Sequence, residues 1–191
     1  MLGMWWARLL NVISGLLGNG VAASTNSFES ISTVTVGAGG VSSVSFSSIP
    51  STYKHLQIRF IARGLSGGAI YTQFNGDTGA NYSSHYLSGD GSATAAGAQT
   101  STSNPLIIRN GGISTTANIF SAGVVDVLDY ANTSKNKTIR SLGGQDLNGS
   151  GVIEFDSNAW YSTSAITSIT MTQNGSGFAQ YSSFALYGIK G

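Results

Sequence analysis

The chain contains no cysteine, so neither disulfides nor thiolate metal sites can hold it together. Charge is nearly as scarce: Asp, Glu, Lys and Arg make up 9% of residues, against about a quarter in an average globular protein. Net charge is +1, which gives no electrostatic reason to expect a nucleic-acid or acidic partner. Only two prolines occur, Pro50 and Pro105. Disorder is excluded on the other side, because hydrophobic residues reach 41% and run through the whole length. At 191 residues the chain suits one domain plus an appendage, large enough to bury a core without staples. Its polar share is carried by Ser, Thr, Asn and Gly. Such a neutral surface of hydroxyls and amides fits an extracellular or particle-surface protein better than a cytosolic enzyme.

What is present reads as β. In "YKHLQIRFIAR", Leu56, Ile58, Phe60 and Ala62 share one face, and His55, Gln57, Arg59 and Ile61 the other. Candidate strands lie near 28–36, 41–48, 53–63, 68–75, 83–88, 105–109, 119–130, 137–142, 151–156, 164–173 and 180–190, one of them expected to be a loop. Asn75-Gly76, Asn110-Gly111, Asn148-Gly149 and Asn174-Gly175 tolerate the positive φ of type I′ turns and are expected to join antiparallel strands. Residues 88–105, "SGDGSATAAGAQTSTSNP", are expected to form a long loop. The expected fold is an all-β antiparallel sandwich or jelly roll over residues 28–191, with Leu56, Ile58, Phe60, Val125, Val127, Ile166 or Ile169, and Leu186 in its core.

The chemistry-bearing patterns are weak. "GLSGG" at 64–68 formally matches the nucleophile elbow, but that motif needs a helix after it and "AIYTQFN" reads as a strand. His55 and His85 are the only histidines and have no metal spacing. "NGDTGANYSSH" spaces Asn75, Asp77 and Asn81 like a calcium loop, without its closing Glu. Asp126 and Asp129 fall on opposite faces of a strand, which separates them as a catalytic pair. Lys135, Lys137 and Arg140 read as solvated cations. No enzymatic activity, metal or cofactor is expected. Tyr82, His85, Tyr86, Trp160 and Tyr161 are aromatics in polar surroundings, suited to a core, a subunit interface or a sugar face.

The stretches "FESISTVTVGAGGVSSVSFSSIPSTYKHLQIRFIAR", "FNGDTGANYSSHYLSGDGS", "VVDVLDYANTSKNKTIRSLGGQD" and "SSFALYGIKG", in that order, resemble a group of tailed-bacteriophage virion proteins found alone or as distal parts of tail fibres. The resemblance covers about residues 27–191. It implies a non-enzymatic β-sandwich module on the particle surface, forming a homotrimer. The leading role expected for this chain is a tail-fibre or tail-tip component that contacts host surface glycans. Capsid decoration and a free lectin are the alternative roles.

The opening "MLGMWWARLLNVISGLLGNG" lies outside that resemblance. A signal peptide fits it only loosely, through Arg8, the apolar run and "VAAS", and the segment is expected to stay on the protein. Leu2 to Leu17 is too short and too interrupted, by Arg8, Asn11 and Ser14, to span a membrane. On a helical wheel Leu2, Trp5, Trp6, Leu9, Ile13 and Leu16 form one stripe opposite Arg8, Asn11 and Gly15. Residues 1–20 are therefore expected to be an amphipathic helix docking on other virion proteins, with 21–27 as linker; its single cation argues against a lipid surface. Deleting residues 1–20 is expected to leave a soluble β domain with an unchanged strand signature by circular dichroism; aggregation or unfolding would mean the segment belongs to the core.

Overall fold

A computed structural model describes residues 27–108 and 113–191. The expected helix 1–20, and the 21–27 linker apart from Ser27, lie outside the described residues. Twelve strands follow one another: β1 (Phe28–Thr35), β2 (Ser43–Phe46), β3 (His55–Ala62), β4 (Ile70–Phe74), β5 (Tyr82–Gly89), β6 (Thr94–Thr102), β7 (Leu106–Ile108), β8 (Ser121–Leu128), β9 (Lys137–Asp146), β10 (Gly151–Trp160), β11 (Ile169–Gln173) and β12 (Ser183–Ile189). Among the described residues there is no helix. The strands form an eight-stranded sheet, β1-β12-β3-β8-β9-β10-β5-β6, and a four-stranded sheet, β2-β11-β4-β7, all neighbours antiparallel. The chain alternates between them: β2, β4, β7 and β11 belong to the small sheet, and the segments between them to the large one.

The two sheets share one hydrophobic core, a β-sandwich-like arrangement. The small sheet contributes Val44, Phe46, Ile70, Phe74, Ile107, Ile108, Ile169 and Met171; the large sheet contributes Leu56, Ile58, Phe60, Val125, Val127, Ile139, Phe184 and Leu186. Every core residue named from the period-two pattern is buried, Ile166 and Ile169 both among them. Two aromatic groups anchor the core. Phe60 stacks on Phe184 at 5.8 Å, and Phe184 meets Phe178 edge-on at 4.7 Å. Phe74, Tyr82 and Trp160 form the other, with centroids 5.6–6.3 Å apart. Phe60 lies over Gly123, its cross-strand partner, where an added Cβ would come within 2.4 Å of the ring. Glycine is required there for close approach rather than for its dihedral freedom.

Three expectations need correction. Each of the eleven candidate segments contains a strand, so none is the surplus loop. The supposed loop 88–105 holds the end of β5, a tight turn and the whole of β6. The turn is built by Asp90, whose Oδ1 accepts from the amides of Ser92 (2.8 Å) and Ala93 (2.7 Å), with Gly91 at φ 88°. β6 could be missed because an edge strand needs only backbone groups for its ladder, and its small side chains give no apolar alternation. The Asn-Gly pairs do not all close hairpins either. Asn148-Gly149 joins β9 to β10 within one sheet, but Asn75-Gly76 (φ 53° and 68°) starts the crossing from the small sheet to the large, and Asn174-Gly175 follows β11 on the way to β12. The same positive-φ turn serves an arch as well as a hairpin.

Phe60→Ala removes a fully packed ring from the joint of β3, β8 and β12. It is expected to cost about 3–5 kcal/mol in a urea titration; a loss under about 1 kcal/mol would mean the ring is not part of the core.

Candidate functional site

The five aromatic candidates do not converge on one surface. Tyr82 and Trp160 are corrected as ligand-facing residues: both lie in the core, 0% and 3% exposed. Both still satisfy their polar atoms. The Tyr82 hydroxyl donates to the Asp77 carbonyl (3.0 Å) and accepts from the Phe74 amide (3.2 Å), and burial pushes its pKa up to about 12. The Trp160 indole N–H donates to Asp77 Oδ2 at 2.7 Å. Tyr86 shares the inward face of β5 and covers Gly97 of β6. His85 sits exposed on the outward face of β5. Tyr161, 58% exposed, follows β10 with its hydroxyl 3.1 Å from Ser83 Oγ. The expected docking residues Leu2, Trp5, Trp6, Leu9, Ile13 and Leu16 lie outside the described residues.

The remaining polar candidates are engaged in holding the fold. The Asp77 carboxylate accepts from Trp160, Asn81 and the Gly79 amide (2.8 Å), and these bonds, the indole N–H foremost, hold its pKa below the ordinary 3.8. Asp129 occupies a turn at φ 48° and pairs with Lys135 and Lys54, which hold its carboxyl down at about 2. His55 Nδ1 accepts from the Asp129 amide at 2.9 Å. Lys137, expected in solvent, is 1% exposed: its ammonium donates to the carbonyls of Asn132 (2.7 Å), Lys135 (3.0 Å) and Ser162 (3.4 Å). Position inward on β9 overrides the preference of a lysine for water, and the carbonyls replace its hydration. Ser66 is followed by β4, and its Oγ accepts from the Ser176 amide, so no nucleophile elbow forms. Among the described residues no cluster of three His, Asp or Glu could hold a metal ion.

What stands out is a reversal of polarity across β9, β10 and β5. In "GVIEFDSNAW", Glu154, Asp156 and Asn158 point inward and are buried, while Ile153 and Phe155 point outward, 62% and 48% exposed. Ser141 and Ser84 are likewise buried, with Leu142 and Leu87 outward beside them. Three of the inward polar groups bond to backbone. Ser141 Oγ donates to the Ile107 carbonyl (3.1 Å), Asn158 Nδ2 to the Leu106 carbonyl (2.9 Å), and Ser84 Oγ accepts from the Leu106 amide (3.3 Å). They serve the main chain of β7, which has only β4 as a strand neighbour.

The outward apolar groups serve no comparable purpose among the described residues. The strand register aligns them in two rows. One runs Arg59, Val124, Leu142, Phe155, Leu87, Ala96; the next runs Ile61, Ala122, Gly144, Ile153, Gly89. Val124, Leu142, Phe155, Leu87, Ile61 and Ile153 are all large and exposed. Gly89 and Gly144 lower the second row into an open cleft of about 920 Å³, walled by Phe120 and by the turns at Asp90–Gly91 and Gly149–Ser150. A third row, Tyr187, Gln57, Asp126, Arg140, Ser157 and His85, borders the belt with polar groups. A contiguous apolar belt of this size marks an interaction face. Sequence reasoning missed it because strict alternation assigns the apolar residues of β10 to the core. No family model, no curated protein and no solved structure matches the chain.

Asp77→Ala removes the acceptor of the buried Trp160 N–H and is expected to cost about 2–3 kcal/mol by urea unfolding. Since Asp77 and Asp129 both have folded pKa values below their unfolded ones, their stabilisation is complete above the unfolded value and lost as pH falls through the folded values. Unfolding titrations should therefore weaken progressively below about pH 4, less steeply in Asp77→Asn; equal slopes in both proteins would remove Asp77 from this role.

Proposed function

We propose that this protein is a non-enzymatic structural component of a tailed-bacteriophage particle: a homotrimeric tail-fibre or tail-tip module, its β domain outward and residues 1–20 attaching it to other virion proteins. The observation that carries this reading is the exposed apolar belt on the large sheet. It offers contact area, whereas the chemically active groups, Asp77, Asp129 and Lys137, are engaged in the fold. The ordered resemblance over residues 27–191 supports the phage assignment. The strand order supports a jelly-roll reading: with β8-β9-β10 counted as one position, the series β2-β11-β4-β7 opposite β3-(β8-β9-β10)-β5-β6 is that of a jelly roll, extended at one edge by β12 and β1. For a host glycan, the exposed Tyr161 and His85 are the aromatic candidates left available, since Tyr82 and Trp160 are buried.

Labelled antibody against the β domain, imaged on intact particles, tests the assignment. Label at the tail tip is the expected result. Label over the head would favour a capsid decoration protein, and label on neither, with a glycan-array signal from the free protein, a lectin outside the virion. Deleting residues 1–20 is expected to abolish incorporation, Trp5→Ala with Trp6→Ala to weaken it strongly, and Arg8→Ala to leave copy number nearly unchanged, because the two indoles and four aliphatic side chains supply the apolar area a docked helix can offer.

A further inference from the structure

We propose that the outward belt of the large sheet, centred on Leu142, Phe155, Ile153 and Leu87, is where copies of this chain meet. This rests on the homo-oligomeric part of the reading above and is independent of the particle. The first support is the reversal of polarity. Turning Ser84, Ser141 and Asn158 inward serves β7, but nothing among the described residues accounts for turning four large apolar side chains out on the same strands. Left in water, that arrangement forgoes burial on both faces; covered by a partner, it is what the core of an interface requires.

The second support is size and shape. Six strands about 4.8 Å apart, and the two apolar rows with the polar row beside them about 6.8 Å apart, outline roughly 24 Å by 14 Å between side-chain centres. That matches the centre of a standard interface, apolar over two rows and polar along the third, which with its rim takes about 800 Å² from each partner. The third is charge placed so that the face complements itself. Within the two apolar rows Arg59 is the only charged residue. Asp90 and Asp146 stand at the turn end of the belt, and Arg140, with Asp126 across from it, on the other side. A second copy following head-to-tail in a three-membered ring sets Arg140 against the acidic turns. The edge supports the same occupant. β6, "TAAGAQTST", carries no Lys, Glu or Pro of the kind that usually blocks edge pairing, and it continues the belt through Ala96.

Light scattering on the full chain at tens of µM tests the proposal in two steps. The wild type is expected at a multiple of 19.7 kDa, and Leu142→Asp with Phe155→Asp at 19.7 kDa with an unchanged circular dichroism spectrum. A monomeric wild type overturns both this inference and the oligomeric reading above it; a double variant that keeps the wild-type mass overturns the inference alone. Because the chain has no cysteine, single introduced thiols give a readout that survives poor folding of the Asp variant. With a short bis-maleimide, Ile153→Cys is expected to form covalent dimers at least tenfold more efficiently than Tyr181→Cys, which lies exposed outside the belt. Equal yields would overturn the proposal.

Discussion

The backbone of β7 is the constraint on which the character of this molecule depends. It is three residues long, it has one strand neighbour, and it lies against the inner face of the large sheet. Its peptide groups are buried and must find partners or lose several kcal/mol. Ser84, Ser141 and Asn158 supply them from three adjacent strands. The inner face of β5, β9 and β10 therefore carries these polar groups behind β7 alongside the apolar Tyr82, Ile139 and Trp160. The strands that hold these polar groups are the ones that carry the exposed belt. The packing demand and the interaction surface are two faces of the same strands.

A second tie fixes the opposite requirement, that the sheets remain in register. The chain leaves the small sheet at Phe74 and enters the large one at Tyr82, and the Asp77 carboxylate between them reaches Trp160 at the end of β10. One charged group thus joins the crossing segment to a strand far away in sequence and satisfies the indole of a buried ring. This explains why Tyr82 and Trp160, with polar neighbours in sequence, are core residues. Asp77, five residues before Tyr82, accepts from both: its carbonyl from the Tyr82 hydroxyl and its carboxylate from the Trp160 indole.

Much of the architecture was legible in the sequence. The strict alternation of β3 gave its buried face directly, and the β-branched runs located eleven of the strands. The failures have a common cause. Period two tells which residues share a face but not which face is inside, and on β10 the apolar set is outside. β6 was invisible because hydrogen-bonded edges need no particular side chains. Lys137 was misjudged because the three carbonyls that receive its ammonium come from Asn132, Lys135 and Ser162, the last distant in sequence. The candidate site was illegible for the same reason: the two rows of the belt exist only once six strands lie side by side, and no single stretch announces them.

The position of β1 at one edge of the large sheet and β6 at the other gives the domain a direction. Seven strand spacings separate them, roughly 34 Å, and the right-handed twist turns one edge strand well past a right angle to the other. The chain preceding Phe28 leaves from the β1 edge. Whatever holds the protein there is kept a full sheet width from anything that engages β6. A contact made along β1 and one made along β6 are therefore separated by the full width of the sheet.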